Sequence, residues 1–317
     1  MKITLDISKL VEEGRLTPEE AQRLTALASH DTGSLGINIL IGFGVVAIAA
    51  GAVALVPTPL TAVVLGLVLT AAGFAVLVKR ARQWEVFGQI CLVIGALMVS
   101  GGIIAFGEGS LASMLIVTAV LALIAVAARS GLLTALAVLS ASACLGAKAG
   151  YMHAMYSLAI FEPTLTIVLF SGLALAAFQF SKRLPADHER IALIAARTAI
   201  VLVNFGFWIG SLWGDPLFLL SRMAGKARAA PRLEDVVIPA NVFSIAWAVV
   251  LIGAALWAMR ANRRWLVNIV AVFGAIHFYT QWFERLGATP LSVLLGGLLM
   301  LAIALALWGF NRRAVAA

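Results

Sequence analysis

Leu35–Val56 reads LGINILIGFGVVAIAAGAVALV, 22 residues without a charge. At about 1.5 Å rise per residue, a helix of that length crosses a hydrocarbon core of about 30 Å. The chain therefore changes solvent here. Residues 1–34 read as a cytoplasmic helical hairpin and linker, and residues 35–317 as a multi-pass transmembrane domain. The expected fold class is all-α: a polytopic helical membrane protein with about ten transmembrane helices, preceded by a short soluble helical hairpin.

Composition points the same way. Of 317 residues, 62% are hydrophobic and 12% charged, where average soluble chains carry about 25% charged residues. So little charge leaves too few polar groups to cover a globule, and a bilayer removes that requirement. The opening MKITLDISKLVEEGR lacks the uninterrupted apolar core and cleavage site of a signal peptide, so no cleavage is expected. Cys91 and Cys144 lie inside apolar runs, where a thiol packs as a small hydrophobe. Two such cysteines make no disulfide framework, and with no ligating partners nearby they point to no metal. No cofactor is expected.

Within the first 34 residues the helix signals are local. Asp6 is placed to cap a helix through Glu13, and Gly14 to end it in the left-handed conformation. Thr17-Pro18-Glu19-Glu20 then supplies an N-cap, an N1 proline and a capping-box glutamate. Leu10, Val11, Leu16, Ala21, Leu24 and Leu27 form one apolar side. Two helices this short bury too little surface to stand alone. They call for a protein partner, self-association, or packing on the membrane domain. His30–Ser34 reads as a linker.

Ten apolar segments follow from Leu35: Leu35–Val56, Pro59–Val78, Val86–Phe106, Leu111–Ala128, Gly131–Lys148, Pro163–Phe180, Ile191–Trp213, Ala240–Met259, Trp265–Phe283 and Pro290–Phe310. Tyr151–Glu162 is open between extending a helix and lying in the interface. Six of eight tryptophans, Trp84, Trp213, Trp257, Trp265, Trp282 and Trp308, fall near segment ends, as an interfacial belt requires. With the N-terminus inside, the inner segments carry 16 Lys and Arg and the outer ones 6, four of these in the loop 214–239. The positive-inside rule then puts both termini in the cytoplasm. This asymmetry also accounts for the net charge of +8 without a nucleic-acid footprint.

Glycines recur at intervals of seven in the first three segments: Gly44 and Gly51, Gly66 and Gly73, then Gly88, Gly95 and Gly102. Each set makes a smooth strip along one helix side, which lets backbones approach where lipid supplies no drive for association. Gly206 and Gly210 add a GxxxG. All nine are expected at helix packing surfaces.

Polar residues inside two segments are the candidate site. Arg197, Asn204 and Ser211 are spaced by seven on the seventh segment, and His277, Thr280, Gln281 and Glu284 share a face of the ninth. Intramembrane ionisable groups are functional candidates by default. His277 and Glu284 lie about 10 Å apart along the helix axis, too far to chelate one ion unaided. Asp215-Pro216 opens the long outer loop, in which Leu217–Lys226 reads as a short interfacial helix. No zinc-protease, nucleophile-elbow, phosphate-loop or dinucleotide motif occurs in a suitable context, so no catalytic residues are assigned.

LVEEGRLTPEEAQRL (Leu10–Leu24), joined to a polytopic domain that closes with NRRWLVNIVAVFGAIHFYTQWFERLG (Asn262–Gly287) and a final apolar segment, resembles a bacterial family of predicted multi-pass membrane proteins of unknown function. The resemblance implies a bacterial inner-membrane location and carries no activity. The expected function is therefore a non-enzymatic integral inner-membrane protein whose hairpin serves docking or assembly. The runner-up is a transporter or channel for a small solute using the polar faces of the seventh and ninth segments. A lipid-acting membrane enzyme would need titratable groups clustered near one headgroup layer.

Overall fold

The structure is a computed structural model that describes residues 7–79, 84–152, 155–217 and 237–316. Asp6, read as a helix cap, lies outside the described residues. Two compact units divide the chain, Met1–Ala137 and Val138–Ala317.

In the first unit, α1 (Ile7–Glu12) ends in a turn at Gly14, whose φ of +68° is the left-handed conformation that glycine adopts without a Cβ penalty. Thr17 then opens α2 (Pro18–Leu55). Its hydroxyl accepts the Glu20 N–H at 3.2 Å, and the Glu20 carboxylate accepts the Thr17 N–H at 3.0 Å. This is the expected capping box. The N–H and hydroxyl of Thr17 hold the Glu20 carboxyl below its ordinary value. A carboxylate favoured by folding stabilises above its unfolded pKa, and that support is lost as pH falls through the folded one. Thr17→Ala removes the cap, and about 0.5–2 kcal/mol of local helix stability is expected to go with it. Protease cleavage near Gly14 should rise in that variant; unchanged cleavage contradicts the cap.

The expected linker His30–Ser34 is a correction: α2 runs through it unbroken. Its 38 residues make a rod about 57 Å long. No proline interrupts Asp31-Thr32-Gly33-Ser34, and a helical Gly costs only about 1 kcal/mol against Ala. Leaving the helix and restarting it would expose several backbone groups instead.

α3 (Pro59–Val78) and α4 (Glu85–Phe106) form a close antiparallel pair. A Cβ on Gly66 would lie 2.7 Å from the Gly95 carbonyl oxygen, one on Gly73 2.7 Å from the Gly88 oxygen, and one on Gly102 2.8 Å from the Pro59 oxygen. Each step of seven up α3 matches a step of seven down α4. The two glycine strips thus face each other, and the backbones meet where no side chain fits. Gly42 of α2 lies against Ile90 of α4, whereas nothing lies within 4 Å of a Cβ placed on Gly44 or Gly51 among the described residues. α5 (Leu111–Ala128) and α6 (Gly131–Cys144) complete this unit's core through Val117, Leu121, Ala125, Leu133 and Ala137 around Ala96.

The unit boundary falls inside α6. The fifth segment, expected to run to Lys148, is corrected to end at Cys144. Gly146 follows with φ +83°, and Lys148–Met152 (β1) pairs antiparallel with Met155–Ala159 (β2), from Lys148↔Ala159 to Met152↔Met155. A helix through Gly146 was not available, because its left-handed backbone turns the chain back and seats it beside Phe161. Among the described residues, α7 (Pro163–Ser181), α8 (Ala186–Trp213), α9 (Ala240–Arg260), α10 (Arg264–Leu286) and α11 (Pro290–Ala316) follow. Phe170, Ala174, Ala199 and Leu202 form one core cluster, and Phe207, Phe243, Trp247, Leu251 and Phe273 another. The proposed helix at 217–226 falls outside the described residues apart from Leu217.

Among the described residues, seven helices, α3, α4, α5, α7, α8, α9 and α10, are long and apolar enough to cross a membrane. Leu40–Leu55, Gly131–Cys144 and Pro290–Ala302 are shorter apolar helical stretches. The outward faces are apolar as well, with Leu40 72% and Leu123 71% exposed. Several hydroxyls in these helices bond back to their own turns, Thr70 to the Gly66 carbonyl at 2.7 Å and Ser100 to that of Ala96 at 2.7 Å, so these stay satisfied without water; the buried Thr164 and Thr166 hydroxyls of α7 have no hydrogen-bond partner among the described residues.

Candidate functional site

Asn204 of the seventh segment and His277 of the ninth both contact Trp247, where α8, α9 and α10 come together. Asn204 of α8 is buried, and its amide N–H donates to the Ile200 carbonyl of its own helix at 2.9 Å. Its Oδ1 accepts the indole N–H of Trp247, a fully buried residue of α9, at 3.0 Å. An indole only donates, so this bond also fixes which end of the Asn204 amide is oxygen. One turn further along α8, the Trp208 indole donates to the Thr280 hydroxyl of α10 at 3.0 Å. Ser211, also buried, donates to the Trp208 carbonyl at 2.8 Å.

His277 joins through its ring. Its centroid lies 4.8 Å from that of Trp247, with the planes 76° apart. Its Nδ1 is buried and has no hydrogen-bond partner among the described residues. Phe273 and Phe205 close the aromatic side, with centroids 5.6 Å apart. Gln281 is half-buried and Glu284 exposed.

Arg197 does not join this group. It is exposed, and its guanidinium lies over the Trp265 ring at the start of α10, 5.1 Å from the centroid. A guanidinium is weakly hydrated and stacks well on indole. The GxxxG serves two neighbours: Gly206 lies under Ile167 and the Pro163 carbonyl of α7, while a Cβ on Gly210 would meet Phe243 of α9 at 2.6 Å.

Sequence reasoning missed the structural roles of three residues. Trp208 and Trp247 are the two tryptophans that fall outside the interfacial belt, and that exclusion was the signal available. Asp215 is fully buried, and its Oδ2 accepts the Thr164 N–H at 2.8 Å while Oδ1 accepts the Leu217 N–H at 2.7 Å. Its backbone N–H donates to the Ile238 carbonyl at 2.9 Å. A carboxylate thus sits at the N-terminus of α7, where the helix dipole favours an anion. Glu162 precedes that helix and is buried, but makes no side-chain cap of its own. The cap comes from 51 residues away in sequence.

Among the described residues no three of His, Cys, Asp and Glu come together as a metal site requires. Seven long apolar helices among the described residues, in a largely helical framework, are compatible with a multi-pass membrane protein. Comparison with family models finds no match, and neither the curated proteins nor the solved structures provide one.

Proposed function

We propose that this chain is a non-enzymatic integral protein of a bacterial inner membrane, with ten spans and both termini in the cytoplasm. Its N-terminal helices dock a protein partner or the membrane domain itself. The observation that carries this reading is the continuity of α2, which joins the capped segment after Thr17 to the first apolar stretch in one helix. Whatever binds the N-terminal part of such a rod is held at a set distance from the bilayer.

The polar junction favours this reading over transport. Asn204, Trp247, Trp208 and Thr280 bond to one another or to their own helices, whereas a transporter keeps polar groups free for a solute at mid-membrane depth.

The test has two arms. Reporter fusions after Arg82 and Arg264 are expected to report cytoplasm and one at Arg228 the opposite face; an external signal at Arg82 overturns the topology. A photo-cross-linker at Leu24, which is exposed, is expected to trap one discrete adduct in native membranes, with another chain or within this one. Absence of any adduct overturns docking.

A further inference from the structure

We infer that His277 is an acid-sensitive latch on the junction of α8, α9 and α10. The ring sits about nine residues, or about 13 Å, inside the Leu286 end of α10. Its Nδ1 is buried without a partner among the described residues, and it lies against Trp247, whose indole holds α9 to α8 through Asn204. The Thr280 hydroxyl and the Asn204 carbonyl of this junction each accept an indole N–H. Nδ1 is therefore the open protonation position of the junction.

An unpaired imidazolium is not tolerated where the neutral ring packs. Proton uptake and departure of the ring from Trp247 are therefore one event. The proton comes from the aqueous phase, and each chain gains one positive charge. On its own helix the nearest charges are Glu284 and Arg285, seven and eight residues on. α8 brings only Arg197 between Ile191 and Trp213, committed to Trp265 about 18 Å further along α10. α9 brings only Arg260 at its far end, and α11 no charge before Arg312. Asp215, just beyond α8, is engaged at the start of α7. α7, whose Ile167 packs on the same aromatic cluster, is preceded by the buried Glu162. Glu162 and Glu284 are thus the carboxylates on the elements around the ring, with Arg285 opposing its charge, and leaving Trp247 loosens the three-helix junction.

The experiment uses the full chain in lipid nanodiscs with His30, His153 and His188 replaced by Gln, so that one imidazole remains. Its ¹⁵N signals are followed from about pH 8 to about pH 5, the interval in which imidazoles change charge, alongside tryptophan emission. The expected result is a single protonation accompanied by an emission change of up to one indole in eight. In Trp247→Phe the ring should still titrate while the emission change disappears. A ring that stays neutral throughout, or that titrates while emission from the unaltered Trp247 stays flat, overturns the latch. Neither outcome depends on a His277 variant folding.

Discussion

Gly95→Ala is expected to destabilise the first unit by about 1–3 kcal/mol, the cost of overpacking a close interface. The added Cβ would lie 2.5 Å from the Thr70 hydroxyl oxygen and 2.6 Å from both the Gly66 carbonyl oxygen and the Thr70 N. Two of those atoms are backbone, so relief requires α3 and α4 to move apart along their length. The opposing gain in helix propensity, up to about 1 kcal/mol, does not offset this. Gly101→Ala is the control, because nothing lies within 4 Å of its Cβ position among the described residues. It should be neutral or slightly stabilising. Thermal unfolding of both variants in the same detergent decides the matter: equal midpoints contradict the facing glycine strips. Gly66→Ala should behave like Gly95→Ala, since its Cβ would meet the Gly95 oxygen and the Val99 N at 2.7 Å.

What sequence could convey here is what one helix needs from lipid and from its neighbour. A run of apolar residues bounded by Pro59 or Pro163 announces a helix start, because proline at the first position loses no hydrogen bond. A glycine every seven residues announces a close approach, because only hydrogen fits there. Neither signal reports which strip faces which. Gly66 and Gly95 oppose each other, while Gly44 and Gly51, with the same spacing, face open space among the described residues. Choice of partner is a tertiary property.

Other features were illegible for related reasons. Asp31-Thr32-Gly33-Ser34 has the composition of a linker, yet hydrogen-bond continuity carries α2 through it. Tyr151–Glu162 lacks a period long enough to separate a helix extension from a strand, and the backbone of Gly146 settles the direction locally. Asp215 caps a helix that begins 52 residues earlier in sequence, a pairing that no local motif encodes. The candidate polar site was legible in part. Spacing by seven placed Asn204 and Ser211 on one buried side, but the exposed Arg197 stacks on Trp265 instead. The mid-segment positions of Trp208 and Trp247 were visible from the start, and their meaning needed a partner within reach.

Trp247→Ala is expected to be the most disruptive single change in the second unit, because it removes the largest fully buried side chain among the described residues. Truncating a core tryptophan costs about 3–5 kcal/mol when the surroundings cannot collapse. Here Phe207, Phe243, Leu251 and Phe273 are held by three separate helices. Trp247→Phe separates packing from hydrogen bonding. It keeps most of the volume, leaves the Asn204 Oδ1 without its donor, and should cost about 1–3 kcal/mol. Asn204→Leu should cost a similar amount by orphaning the indole N–H instead. Combined in one chain, the two changes remove both partners, so the loss should be smaller than the sum of the single losses. The shortfall measures the bond, and interhelical bonds in membranes reach about 1.7 kcal/mol. A double-mutant cycle on thermal or denaturant unfolding reads that coupling directly. A coupling near zero would mean that the indole and amide find other partners, reopening this face as a place where a solute replaces one of them. A clear coupling means that Asn204 stabilises the junction by binding Trp247, and leaves His277 as the polar group there without a described hydrogen-bond partner.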